Sequence, residues 1–214
     1  MAKKKKEPVW LTKSITSNTA GLIDDVPYQK ALEQIDRTDE SAGMKHLLIG
    51  WVAQERLEDR KLPEKLLSRK RSTSFRDFAR KQMIEDRGTF RLSGITTAFA
   101  MVLLCSFIRN AIFGKYLVNF SVDAVVAAIG AALAILNLRT QLQTAELYGN
   151  TRPMVLTDVL ALVLWFLMMQ VFRNFDSSIV IFLVTYFFSL WRFKKMQEKF
   201  IQENHLEISL NAKK

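Results

Sequence analysis

Two carboxylates, Asp123 and Asp158, stand inside long apolar stretches, and they are the residues that could most readily do chemistry. An acid in hydrocarbon costs at least about 2.5 kcal/mol, so it calls for a reason: a proton or cation site, an ion pair, or a place where the side chain reaches water. Asp123 has Arg109 and Lys115 upstream, and Asp158 has Arg139 and Arg152. Pairing or solvation at a span end is therefore the plainer expectation for each. If the two spans run in opposite directions, Asp123 lies near the outer end of its helix and Asp158 near the inner end of its own. That puts them more than about 10 Å apart along the membrane normal and argues against a shared site.

Other chemistry is sparse. The only histidines are His46 and His205, and the only cysteine is Cys105, within an apolar run. They form no HExxH pair and no zinc pattern, and the eight glycines form neither a phosphate loop nor a dinucleotide fingerprint. No catalytic residue, cofactor or metal site is expected, and the chain reads as non-enzymatic. Asn137 and Gln170 sit near span ends and suit hydrogen bonds between helices. Ser72 and Ser74 each follow an arginine by three residues, a pattern some kinases accept, but a solvated linker is the simpler reading.

The elements that hold the two acids are membrane helices. Most of the charge falls before Arg91 or after Trp191, while the hundred or so residues between are apolar with short polar breaks. Four spans are expected, at about 92–108, 117–138, 154–172 and 177–191. The first has 17 residues and reaches roughly 26 Å, with Arg91 and Arg109 able to snorkel at its ends. Gly88 and Gly94 precede or open it as places where the chain can change direction. Residues 139–152 read as a polar loop, and Pro153 suits the first turn of the third span.

The second span is the richest in small residues. Ala124, Ala127, Ala128, Gly130, Ala131 and Ala134 recur at three- and four-residue spacings and make a face on which another backbone can approach closely. Packing with a neighbouring span or a second copy is expected there.

Ahead of the spans, residues 1–24 read as a disordered basic tail and residues 25–91 as a cytosolic helical region. No signal-peptide core follows the lysines, so the first span is expected to direct its own insertion. Asp25 can cap a short helix in which Pro27 fits the first turn and Tyr28, Ala31, Leu32 and Ile35 share a face. A second helix should follow from about Ser41 to Arg60, burying Met44, Leu47, Leu48, Trp51 and Val52. Leu62, Leu66 and Leu67, around Pro63, could dock on the same surface. In the last segment of the region, Phe75 and Phe78 fall in one sector while Arg76, Arg80, Arg87 and Arg91 fall in another. This pattern suits an interfacial helix on anionic headgroups, or equally a helix packed on the domain before it. Residues 192–214 form a basic tail, in which HLEISLN alternates as a strand would, with nothing to pair with.

Orientation follows from charge. Of the 31 lysines and arginines, 28 fall in the N-terminal segment through Arg91, the 139–153 loop or the segment after Trp191; Arg109, Lys115 and Arg173 are the remainder. The positive-inside rule then places both termini in the cytosol. The expectation is an all-α, polytopic membrane protein with four transmembrane helices and a basic helical N-terminal region. Its partners would be membrane lipids, including anionic headgroups, and a protein or a second copy of the chain; nucleic acid is not expected, because the basic residues flank spans. An anchor, assembly factor or regulator is the leading expectation, with a small transporter, channel or transport subunit using the aspartates as the alternative.

Overall fold

The computed structural model describes residues 25–57, 73–114, 119–172 and 176–210. The basic tail before Asp25, the segment around Pro63, most of the SRKRSTS linker, and Lys115 and Arg173 lie outside the described residues. Six helices and no strand occur among the described residues: α1 (Val26–Asp36), α2 (Ala42–Leu57), α3 (Thr73–Ile112), α4 (Phe120–Glu146), α5 (Arg152–Val171) and α6 (Ser178–Glu203). They divide between two compact units, residues up to Glu85 together with those from Glu198 on, and residues 86–197.

In the first unit, local signals set the helix ends. The Asp25 carboxylate accepts the amide of Tyr28 at 2.8 Å and Pro27 occupies the first turn, so α1 begins where its free amides find an acceptor. Its face of Tyr28, Ala31 and Ile35 is buried. In α2, Met44, Leu47, Leu48, Ile49, Trp51 and Val52 are almost wholly buried. Trp51 meets the edge of Phe75 with ring centroids 5.5 Å apart. Lys45 bridges the two helices by donating to the Asp36 carbonyl at 2.7 Å. At the end of α6, His205 takes φ 51° while the Leu206 amide donates back to Ile201, which ends the helix and buries Leu206.

The second unit is a bundle. Three helices are long and apolar enough to cross a membrane, over Phe75–Ile112, Phe120–Glu146 and Arg152–Val171. In α6 the apolar part expected as the fourth span runs from Ser178 to Trp191, roughly 21 Å, before Arg192, Lys194 and Lys195. Short connections make successive helices antiparallel. Large apolar side chains such as Val125, Leu136, Leu160, Leu167, Val184 and Phe187 face outward, a pattern that suits helices in hydrocarbon. The core joins Ala98 and Cys105 of α3, Ala161, Trp165 and Met169 of α5, and Ile181, Phe182 and Tyr186 of α6.

Two boundaries differ from the sequence expectation. The helix α3 runs through Gly88 and Gly94 without a break, for 40 residues. Gly88 is exposed with nothing near its missing side chain, so it costs only about 1 kcal/mol of helix propensity, too little to break a helix anchored on both sides. Gly94 instead allows a close approach: a Cβ there would lie 3.2 Å from the Tyr186 ring. The second correction is that residues 139–146 are helical rather than loop. Gln141, Leu142, Gln143, Ala145 and Glu146 form helix readily, and Gln141 and Ala145 extend the buried face of α4 past the apolar stretch.

Candidate functional site

The small-residue face of α4 resolves into an inner and an outer part. Ala127, Gly130 and Ala134 are buried, Ala124 and Ala131 are half-buried, and Ala128 faces outward because it lies off the stripe that the other three define. A Cβ at Gly130 would sit 3.5 Å from the Ala100 carbonyl oxygen and 3.7 Å from the Leu103 Cβ, so α3 and α4 approach backbone to backbone.

Beside this contact the four helices line a cavity of about 230 Å³ that is open on one side, past the exposed Ile135 and Val159. Asp158 lines it, from the second turn of α5. Gln141 of α4 and Tyr186 and Ser189 of α6 line it too, exposed by only 8 %, 6 % and 4 %. Among the described residues none of these four side chains forms a hydrogen bond or ion pair. Two further hydroxyls on the wall are already committed, Thr97 to the Ser93 carbonyl and Thr185 to the Ile181 carbonyl, each at 2.8 Å. The site therefore offers a carboxylate, an amide and two hydroxyls against an otherwise apolar wall.

Asp123 is not part of this group. It lies half-buried in the first turn of α4, at the opposite end of that helix from Gln141, where an acid is favoured by the helix dipole. The residues expected at a membrane surface are divided as well. Phe75 is fully buried on Trp51, and Phe78 covers Gly50, so neither ring is free to enter a headgroup layer. Packing on the preceding helices, the other reading of that segment, describes these two rings. Arg76 pairs with Glu207 at 2.9 Å, Arg87 donates to Gln197 at 3.0 Å, and Arg91 is exposed. Arg80 is half-buried and engaged.

A second polar cluster stabilises the bundle beyond the apolar zone. The Tyr148 hydroxyl donates to Asp86, and the Phe193 ring lies stacked on Phe90, 4.1 Å between centroids, with Tyr148 edge-on at 5.7 Å. Burial, reinforced by the Asp86 charge and hydrogen bond, pushes the Tyr148 phenol well above its usual range. At the other end of the bundle, Asp176 accepts from Ser106 at 2.5 Å and from the Ser178 hydroxyl and amide at 2.6 and 3.0 Å. Burial alone would raise the Asp176 carboxyl, but these hydrogen bonds and the Arg109 charge outweigh it and hold it below the usual carboxylate range.

Gln141, Tyr186 and Ser189 were not singled out from sequence. A signal existed for Gln141: it follows Ala127 and Ala134 at seven-residue intervals and so continues their stripe. No local pattern marks Tyr186 or Ser189, since α6 up to Trp191 is largely apolar or aromatic on every side. Compared with known protein families, curated proteins and solved structures, the chain matches none.

Proposed function

We propose that this is a non-enzymatic, multi-pass membrane protein with four spans and cytosolic N- and C-terminal segments, whose helical unit outside the bilayer docks a protein partner. It would act as an anchor, assembly factor or regulator. The observation that carries this reading is the first unit's own core, built on Tyr28, Trp51 and Phe75, on a chain that also has three helices long and apolar enough to cross a membrane. A module packed in that way outside the spans gives a surface for docking, which solute passage by itself does not require. The distribution of lysine and arginine supports the orientation, and the exposed apolar Val26 marks one place on the unit's surface.

A photo-cross-linking residue in place of Val26 or Gln34, in the full chain in native membranes, should capture one defined protein. Recovery of the chain alone at both positions would overturn the docking reading. Orientation is tested in a Cys105→Ala background: an impermeant maleimide should label Ser121→Cys from outside intact cells, and Glu146→Cys only after permeabilisation. The reverse pattern would invert the topology.

Transport is the second reading, and Asp158 in the cavity is the observation that favours it. Reconstituted chain should then pass an ion or solute across liposomes, and Asp158→Asn should abolish that flux. Absence of flux in the parent would remove this reading.

A further inference from the structure

Polarity runs along the cavity. Gln141 and Ser189 line one end, and Met101, Ala134, Leu162 and Phe182 line the other, with Asp158 and Tyr186 between. Helix register fixes this order. Going down α3 and α5 the wall extends from Gly94 to Met101 and from Val155 to Leu162, while on the antiparallel α4 and α6 it extends back from Leu142 to Ala134 and from Ser189 to Phe182. Each helix thus contributes about two turns, a length of roughly 10 Å. The polar end lies toward the charged termini of the spans, near Arg91, Arg139, Arg152 and Arg192, and the apolar end lies deeper.

Gln141, Tyr186 and Ser189 are buried by nine-tenths and form no hydrogen bond among the described residues, which leaves their polar groups open to a ligand in this wall. The half-buried Asp158 carboxylate beside them selects for positive charge, and a wall polar at one end and apolar at the other selects for a ligand that is itself graded. We propose that this cavity binds an amphiphilic ammonium compound, with its charged head on Asp158, its remaining N–H groups toward the Gln141 carbonyl, Tyr186 and Ser189, and a single apolar chain reaching toward Phe182 and Met101. The volume of about 230 Å³ is at the small end of ligand cavities and admits one short chain rather than a two-tailed body. An anion is opposed by the carboxylate. A bare metal ion would leave the apolar half without a partner. The site rests on the membrane reading of the helices and not on partner docking or transport.

The test uses the full chain in a neutral maltoside detergent, with thermal unfolding followed at rising concentrations of n-octylamine, n-octanol and octanoate. Octylamine should stabilise the protein with an apparent affinity about tenfold or more above that of octanol, and octanoate should be weaker still. Asp158→Asn, nearly the same in shape, should bring octylamine and octanol together. Where that variant does not fold, Ser189→Leu decides in its place, because filling the polar end should remove stabilisation by octylamine. Equal stabilisation by amine and alcohol in the parent, an amine preference kept in Asp158→Asn, or undiminished stabilisation by octylamine in Ser189→Leu would overturn the proposal. Repeating the titration in phosphatidylglycerol bilayers with and without phosphatidylethanolamine separates two sources of the same headgroup. Competition by phosphatidylethanolamine assigns the site to a lipid ammonium inserted head first, and lack of competition assigns it to a free amine.

Discussion

At the scale of single residues, charge is stabilised by a few short contacts whose effects depend on pH. Asp176 joins Ser106 of α3 to the start of α6, and its carboxyl titrates below the ordinary range. A depressed native value means that its stabilisation is present above the unfolded carboxyl range and is lost as the pH falls through the native one. Asp176→Asn should lower stability by about 1 kcal/mol near neutrality, with the gap from wild type closing in acid, as read from thermal unfolding between pH 7 and pH 3. Tyr148 works in the opposite sense. Its phenol is held neutral in the folded chain, so its contribution persists below the unfolded value near 10 and is lost as the pH rises beyond it. Tyr148→Phe should cost about 1–2 kcal/mol at pH 7 and flatten the alkaline limb of the stability profile; an unchanged limb would show that another group controls it.

At the scale of helices, the absence of side-chain volume decides which elements meet. At Gly130 an added methyl would make ordinary contact with the Ala100 carbonyl oxygen and the Leu103 Cβ, whereas a longer branched side chain must push α3 away or turn into the groove beside Ile95 and Phe99. Gly130→Ala is therefore expected to stay close to wild type and Gly130→Leu to destabilise by about 1–3 kcal/mol, measured as thermal stability in detergent. Equal stability of the two would remove the close α3–α4 contact from the account. Gly94 and Gly88 are a useful pair because they look alike in sequence. One is pressed by the Tyr186 ring and the other meets nothing, so only the first reports a packing constraint.

At the scale of the whole molecule, two cores are supported by different physics. The first unit buries Trp51, Tyr28 and Phe75 as a water-soluble domain would, while residues 86–197 present apolar surface outward. Trp51→Ala should cost the first unit about 3–5 kcal/mol. Limited proteolysis should then cleave within Ala42–Leu57 while fragments covering residues 86–197 persist. Simultaneous loss of both would mean that the two units unfold as one.

Hydropathy and periodicity alone were enough for the helices of α1 and α2, the buried faces that contain Tyr28, Ile35, Leu47 and Trp51, and the three membrane-length helices, because each of these depends on residues near in sequence and on the solvent they face. The stripe of Ala127, Gly130 and Ala134 was legible for the same reason. What needed the tertiary structure were the properties that arise when distant segments meet. Phe75 turned inward because Trp51 offers it an edge, and α3 continued through two glycines because packing on either side outweighs their small helix penalty. Asp158 joined Gln141, Tyr186 and Ser189, from three helices, around one cavity, whereas Asp123, the other acid in an apolar stretch, did not. A carboxylate in hydrocarbon announces its cost in the sequence, but what it faces is set by the rotation and depth of neighbouring helices, and those depend on contacts such as Gly130 on Ala100 and Gly94 on Tyr186.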